Sequence, residues 1–138
     1  VDAVPVRIII GSAFGQTSPV KQFAETLYIE ASLKAGQSLV LPQAAERALY
    51  IAAGKVQARD QHLSQYEMAV LDGHSEVIIV ALEDSRIALI GGEAMTRRFI
   101  EWNFVSSRKE RIEQAKSDWQ QGKFPKVPGD ENEFIPLP

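Results

Sequence analysis

The eight residues TLYIEASL, 26–33, constrain the fold more than any other stretch of the chain. Leu27, Ile29, Ala31 and Leu33 alternate with Tyr28, Glu30 and Ser32. A helix would scatter those four apolar side chains around its circumference, whereas a strand puts them on one face. A half-buried strand needs sheet neighbours, and the chain supplies them at intervals of about ten residues. VRIII (6–10), SLVL (38–41), RALYIAA (47–53), EMAVL (67–71), EVIIVAL (76–82) and RIALIGG (86–92) are short apolar runs with turn residues between them. KAGQ (34–37) reads as a turn, and GKVQARDQHL (54–63) as a short hairpin with Asp60-Gln61 near its turn. Short strands at this spacing predict a mainly β fold, an antiparallel sandwich or barrel. No Gly-rich strand-to-helix motif interrupts them, which argues against a dinucleotide or phosphate site.

The last third changes character. RFIEWNFV (98–105) still alternates, with Ile100, Trp102 and Phe104 opposing Glu101 and Asn103. The segment SSRKERIEQAKSDWQQGKFP then reads as a helix with both ends marked. Ser107 and Glu110 have the spacing of a capping box. Gly122 suits the left-handed position after the last turn, and Pro125 blocks continuation. The apolar stripe is narrow, Ile112, Ala115 and Trp119, so the helix must dock on something to be stable. The closing KVPGDENEFIPLP holds three prolines and reads as an extended tail that packs through Phe134, Ile135 and Leu137. The expected layout is a barrel over 1–105 with the helix and tail of 106–138 packed on it, one domain overall.

Composition removes several function classes. At 138 residues and 45% hydrophobic, the chain can bury one core. A net charge of −3 without clustered Lys and Arg argues against nucleic acid, and Arg97-Arg98 is too short a basic patch to change that. The chain has no cysteine, which excludes disulfides, thiolate catalysis and Cys-ligated zinc and agrees with a cytoplasmic location. No apolar run approaches the roughly 18 residues of a membrane span, so no membrane partner is expected. VDAVPV has neither the basic nor the apolar region of a signal peptide. It also lacks an initiator Met, which suggests a processed product or a piece of a longer protein. No G-x-S-x-G elbow occurs.

Metal-ligating residues are few. The histidines are His62 and His74. His74 and Glu76, two apart on a strand, would share a face, and His62 would have to complete a two-His-one-carboxylate set, with Glu46 in reserve. Both histidines lie in turn-like sequence and read more simply as exposed, so the expectation is no metal and no catalytic residue. A small-molecule pocket is the other candidate. Ala44, Ala48 and Ala52 recur along one strand face with Tyr50 between them, and small residues there would leave room inside a barrel. Phe and Trp side chains from the C-terminal segment are the preferred occupants of that room.

The segment WNFVSSRKERIEQAKSDWQQGKFPKVPGDENEFIPLP (102–138) strongly resembles the C-terminal end of bacterial pirin-like proteins. LIGGEAM (89–95), VRIIIGSAFGQTSPV (6–20) and TLYIEASLKAGQSLVLP (26–42) are similar to earlier parts of the same domain. The resemblance implies a bicupin. In that family the N-terminal cupin holds a metal, usually iron, through three His and one Glu, and the C-terminal cupin generally holds none. Some members oxidise flavonols such as quercetin; others act as regulators. It follows from the resemblance that this chain is a cupin-type antiparallel β-barrel with one C-terminal helix, without a cofactor of its own. Iron or another divalent metal is expected only in an N-terminal cupin absent from this chain. That cupin, or a second copy covering the same face, is the expected partner. Catalysis by this chain alone is not expected, and quercetinase-like activity would belong to the full-length protein.

Laid from Gly36, the family's first metal motif puts its His-x-His on Pro42 and Ala44 and its Glu on Ala48 or Leu49, with Glu46 out of step. Its closing glycine falls near Gly54, and the lone His of the second motif near His74. GQSLVLPQAAERALYIAAGKV (36–56) is therefore expected to form a hairpin with the layout of a metal site and without its ligands.

Overall fold

The computed structural model describes residues 4–73 and 75–138. Contacts divide the chain after Ala94, the second unit being Met95–Pro138. The first unit holds, in chain order, β1 (Val6–Ile10), β2 (Ser12–Ala13), β3 (Gln16–Thr17), β4 (Thr26–Leu33), β5 (Ser38–Val40) and β6 (Glu46–Ala53). It continues with β7 (Lys55–Ala58), β8 (Gln61–Ser64), β9 (Met68–Asp72), β10 (Ile78–Ala81) and β11 (Ser85–Gly92). Two antiparallel sheets result, a five-stranded one in the order β1-β4-β11-β6-β9 and a four-stranded one in the order β5-β10-β7-β8. β2 and β3 pair only with each other, around a turn in which Phe14 and Gly15 both take left-handed φ.

The alternation in residues 26–33 is realised directly: Leu27, Ile29, Ala31 and Leu33 are buried. The same rule sorts the neighbours. Leu49 and Ile51 of β6, Ile87 and Leu89 of β11, Val56 and Ala58 of β7, and Ile79 and Ala81 of β10 face one common core. Two large apolar side chains in phase on a strand outweigh smaller ones on the other face, because burial of apolar area scales with its size.

The stretch 36–56 is not a hairpin. β5 belongs to the four-stranded sheet and β6 to the five-stranded one, so residues 41–45 cross between sheets. The chain crosses again between β9 and β10. Both crossings lie at one end of the unit. At the other end the β4–β5 turn meets the β10–β11 turn. There the Lys34 ammonium lies 2.6 Å from Asp84 Oδ2, and the Ala35 N–H donates to Asp84 Oδ1 at 3.1 Å.

The hydrogen bond from Lys34, then that from Ala35, holds the Asp84 carboxyl below the ordinary carboxylate range, and Asp84 in turn raises Lys34. A depressed carboxylate stabilises the fold above its unfolded pKa and loses that contribution as pH falls through its folded pKa; the raised Lys34 contributes until alkaline pH. Both groups are fully exposed, so the effect is small and salt-sensitive. Asp84→Asn is expected to lower the urea midpoint slightly near neutral pH and by progressively less as the pH falls below the ordinary carboxylate range, so the comparison is made at neutral and at acid pH. Urea curves at the two pH values, repeated in high salt, check this.

The second unit holds β12 (Phe99–Glu101), β13 (Phe104–Ser106) and α1 (Lys109–Gln120). Residues 98–105, read above as one alternating segment, fold back on themselves. Phe99 pairs with Ser106 and Glu101 with Phe104, and Trp102 takes φ +50° in the turn. The hairpin packs on α1, which is why it groups with the helix instead of extending the barrel to residue 105. Lys116 forms an ion pair with Glu101 across that contact. The expected capping box does not form. Arg108 is the N-cap, without a side-chain cap bond, and Ser106 Oγ accepts from the Arg108 N–H at 3.1 Å. The C-terminus does follow the sequence reading. Gly122 has φ +65° and donates to Trp119 O, while the Lys123 N–H donates to Asp118 O at 2.9 Å, the paired bonds of a Schellman motif. The tail returns to the helix, where Trp119 Nε1–H donates to Ile135 O at 2.8 Å and Phe134 stacks on Trp119.

Candidate functional site

The end of the barrel that carries both sheet crossings is where the expected ligand positions meet. Of the two places for the glutamate, Leu49 points inward and is fully buried, between Leu89 and Ala69 in register. Ala48 is on the opposite, half-exposed face. Ala44 is buried within the core cluster, and Pro42 is half-buried. The remaining candidates do not converge. Glu46 is exposed at the start of β6, Glu76 is exposed before β10, and His62 is exposed on β8 opposite Gln57. His74 lies outside the described residues. Among the described residues no group of three His, Asp or Glu could share a metal. Among the described residues the groups at these positions are leucine, alanine, proline and backbone carbonyl, which do not fit the three-His-one-Glu requirement of a cupin metal.

The alanine pocket is also placed differently. Ala48, Tyr50 and Ala52 lie on the outer face of β6, not toward the core. They belong to an apolar surface that crosses the five-stranded sheet. Tyr28, Ile90, Ala48 and Val70 make one cross-strand row, and Ala88, Tyr50 and Met68 another. Val70 is 86% exposed and Met68 55%. A row of this kind on a sheet's outer face is the sort of patch that partners cover.

What fills the inward face at this end is a residue the sequence reading did not single out. Arg47, in phase with Leu49 and Ile51, is only 3% exposed. Its Nε–H donates to Asp72 O at 3.2 Å, and Nη1 to Pro42 O at 2.7 Å and Leu41 O at 3.4 Å. Nη2 donates to Asp72 O at 2.9 Å and to Ser75 O. All five N–H groups are thus directed at main-chain carbonyls. Burial lowers the Arg47 pKa and the Asp72 carboxylate opposes that shift, but a guanidinium keeps its proton in proteins. Glycines make the approach possible. A Cβ on Gly91 would sit 2.6 Å from Glu46 O and 3.0 Å from Arg47 Cβ, and one on Gly73 would meet the carbonyls of Ala44 and Ala45. The one sequence signal for Arg47 was a charged residue in phase with two large apolar ones.

Two antiparallel sheets enclosing one core, with both crossings gathered at one end, define a cupin-type β fold. A family profile of the Pirin C-terminal cupin domain matches residues 28–125, and the chain belongs to that family. A pirin-like protein of Caulobacter vibrioides is 47% identical over 133 residues, 96% of this chain and 46% of its own length. A pirin-like protein of Solanum lycopersicum is 29% identical over 130 residues, 88% of this chain and 45% of its own length. The fold is shared with a crystal structure of quercetin 2,3-dioxygenase from Acinetobacter baumannii, at TM-score 0.82 and 21% identity, over 99% of this chain and 48% of that one. The chain thus spans about half the length of the relatives it matches. Among the described residues no helix is long and apolar enough to cross a membrane.

Proposed function

We propose that this chain serves as a metal-free cupin domain with a structural and interaction role, packed beside a metal-bearing N-terminal cupin of the same parent protein. The observation that carries the reading is Leu49, a fully buried leucine on the inward face at one of the two positions, 48 and 49, where the motif frame would place its glutamate. Two further points support it. The curated relatives are about twice as long as the matched region, which leaves room for another domain of similar size. The apolar outer face of the five-stranded sheet, with Val70, Met68 and Ile90 exposed, offers a surface for that domain, or in its absence for a second copy. Oxygenation of a flavonol by the parent protein, in the manner named for the Acinetobacter structure, would then be the work of the other cupin and its iron or other divalent metal. The domain is expected to act in the cytoplasm.

Elemental analysis of the chain purified from medium supplemented with iron, nickel and zinc tests the proposal. The expected result is far less than one ion per chain and a melting temperature indifferent to EDTA. A stoichiometric ion that disappears in His74→Ala would overturn it. Sequencing of the coding region upstream of Val1 should reveal a cupin bearing His-x-His.

A further inference from the structure

We infer that Arg47 does in this barrel the mechanical work that a metal would do in a metal-bearing one: it is a fixed internal cation that ties together the two sheet-crossing loops and keeps that end shut. The inference rests on the metal-free reading above and goes one step past it, from what the site lacks to what occupies it. Ligands at positions 42 and 44, on β6 and near 74 would join the β5–β6 crossing, the five-stranded sheet and the β9–β10 crossing through one ion. The Arg47 guanidinium makes the same connections. It extends from β6, takes the carbonyls of Leu41 and Pro42 from the first crossing, and takes those of Asp72, where the second crossing begins, and Ser75 within it. The polarity matches as well, since main-chain carbonyl oxygens converge on a cation from two loops. Ser75 Oγ donates to Asp72 Oδ2 at 2.7 Å, which fixes the turn that presents two of those carbonyls. The planar fork is essential. Five donors spread across a guanidinium reach both loops at once, whereas the single nitrogen of a lysine would reach one cluster only.

Hydrogen exchange of the folded chain tests this with two variants. In Arg47→Met the amides of Leu41, residues 43–45, Asp72, Gly73 and residues 75–77 are expected to exchange about tenfold faster or more, while the turns at 34–37 and 82–84, at the other end, keep wild-type protection. Arg47→Lys retains the charge without the fork and is expected to resemble Met rather than wild type. Should the Met variant fail to fold, the Lys variant decides the matter by the same comparison. Wild-type exchange at both loops in the folded variants would overturn the inference. So would protection lost equally at both ends, which would make Arg47 an ordinary core residue. A parallel melt of wild type with EDTA, and with iron, nickel or zinc added, separates the two readings. A metal-dependent shift there would overturn the metal-free reading, whereas the exchange pattern judges Arg47 itself.

Discussion

Leu49→Glu, which places a carboxylate at the inward-facing one of the two positions, 48 and 49, that the motif frame allows for its glutamate, is expected to unfold the barrel rather than give it a ligand. Leu49 has no exposed surface and packs in register between Leu89 and Ala69. A carboxylate there loses its hydration. Protonation would relieve the charge but leave a polar group in an apolar core. The neighbour that could rescue it is Arg47, two residues away on the same face, and its five N–H groups are already directed at carbonyls. Pairing with the new carboxylate would strip those carbonyls of their donors. The cost should be about 4 kcal/mol or more, large against the total stability of a small domain. Leu49→Ala, which only leaves a cavity, should cost about 2–5 kcal/mol and still fold. Far-UV circular dichroism and urea titration measure both, and metal titration of the Glu variant completes the test. A folded Leu49→Glu that takes up a divalent ion would mean that the barrel retains a usable site.

The contrast between Leu49 and Arg47 also marks what the sequence could and could not reveal. TLYIEASL was legible because one face is uniformly apolar and the other is not, so its period of two admits one orientation. RALYIAA is apolar on both faces. Reading the small residues as the interior put Ala48, Tyr50 and Ala52 inside, whereas the larger Leu49 and Ile51 decide the orientation in the fold. That choice carries Arg47 inward, and its partners come from residues 41–42 and 72–75, a pairing that no local pattern announces. The hairpin at 99–106 was hidden for a related reason. Its turn is made by Trp102 at φ +50°, where an aromatic residue is uncommon, so nothing broke the alternation. The stop at Gly122 was legible because a glycine followed by a nearby proline is a local signal with a local cause. The candidate site was therefore legible in the sequence only as a frame of positions, while the place of Arg47 among the carbonyls at that end depended on tertiary contacts.

The closing glycine of the motif frame, Gly54, carries the second large effect. Gly54→Ala is expected to cost about 3 kcal/mol or more, from two sources that can be separated. Gly54 has φ +79°, a conformation that costs an L residue about 1–2 kcal/mol by itself. Its missing Cβ is also needed for space. A methyl there would overlap Asp84 O and sit 2.5 Å from Ser85 Oγ and 2.8 Å from Ser85 Cα. Ser85 cannot yield cheaply, because its buried hydroxyl accepts from the Lys55 N–H at 3.1 Å and donates to Glu83 O at 2.7 Å. Displacing it would break bonds that join β7 to the β10–β11 turn. Gly36 provides the control. It has nearly the same φ, +82°, but a Cβ there would meet nothing within 4 Å. Gly36→Ala should therefore cost only the backbone part, about 1–2 kcal/mol. Urea unfolding of the two variants gives the packing contribution as their difference. Equal losses would show that Gly54 is required for its backbone angle alone. A larger loss at Gly54 would mean that this glycine is retained for the close approach of β11, a demand of the barrel that holds whether or not the barrel binds a metal.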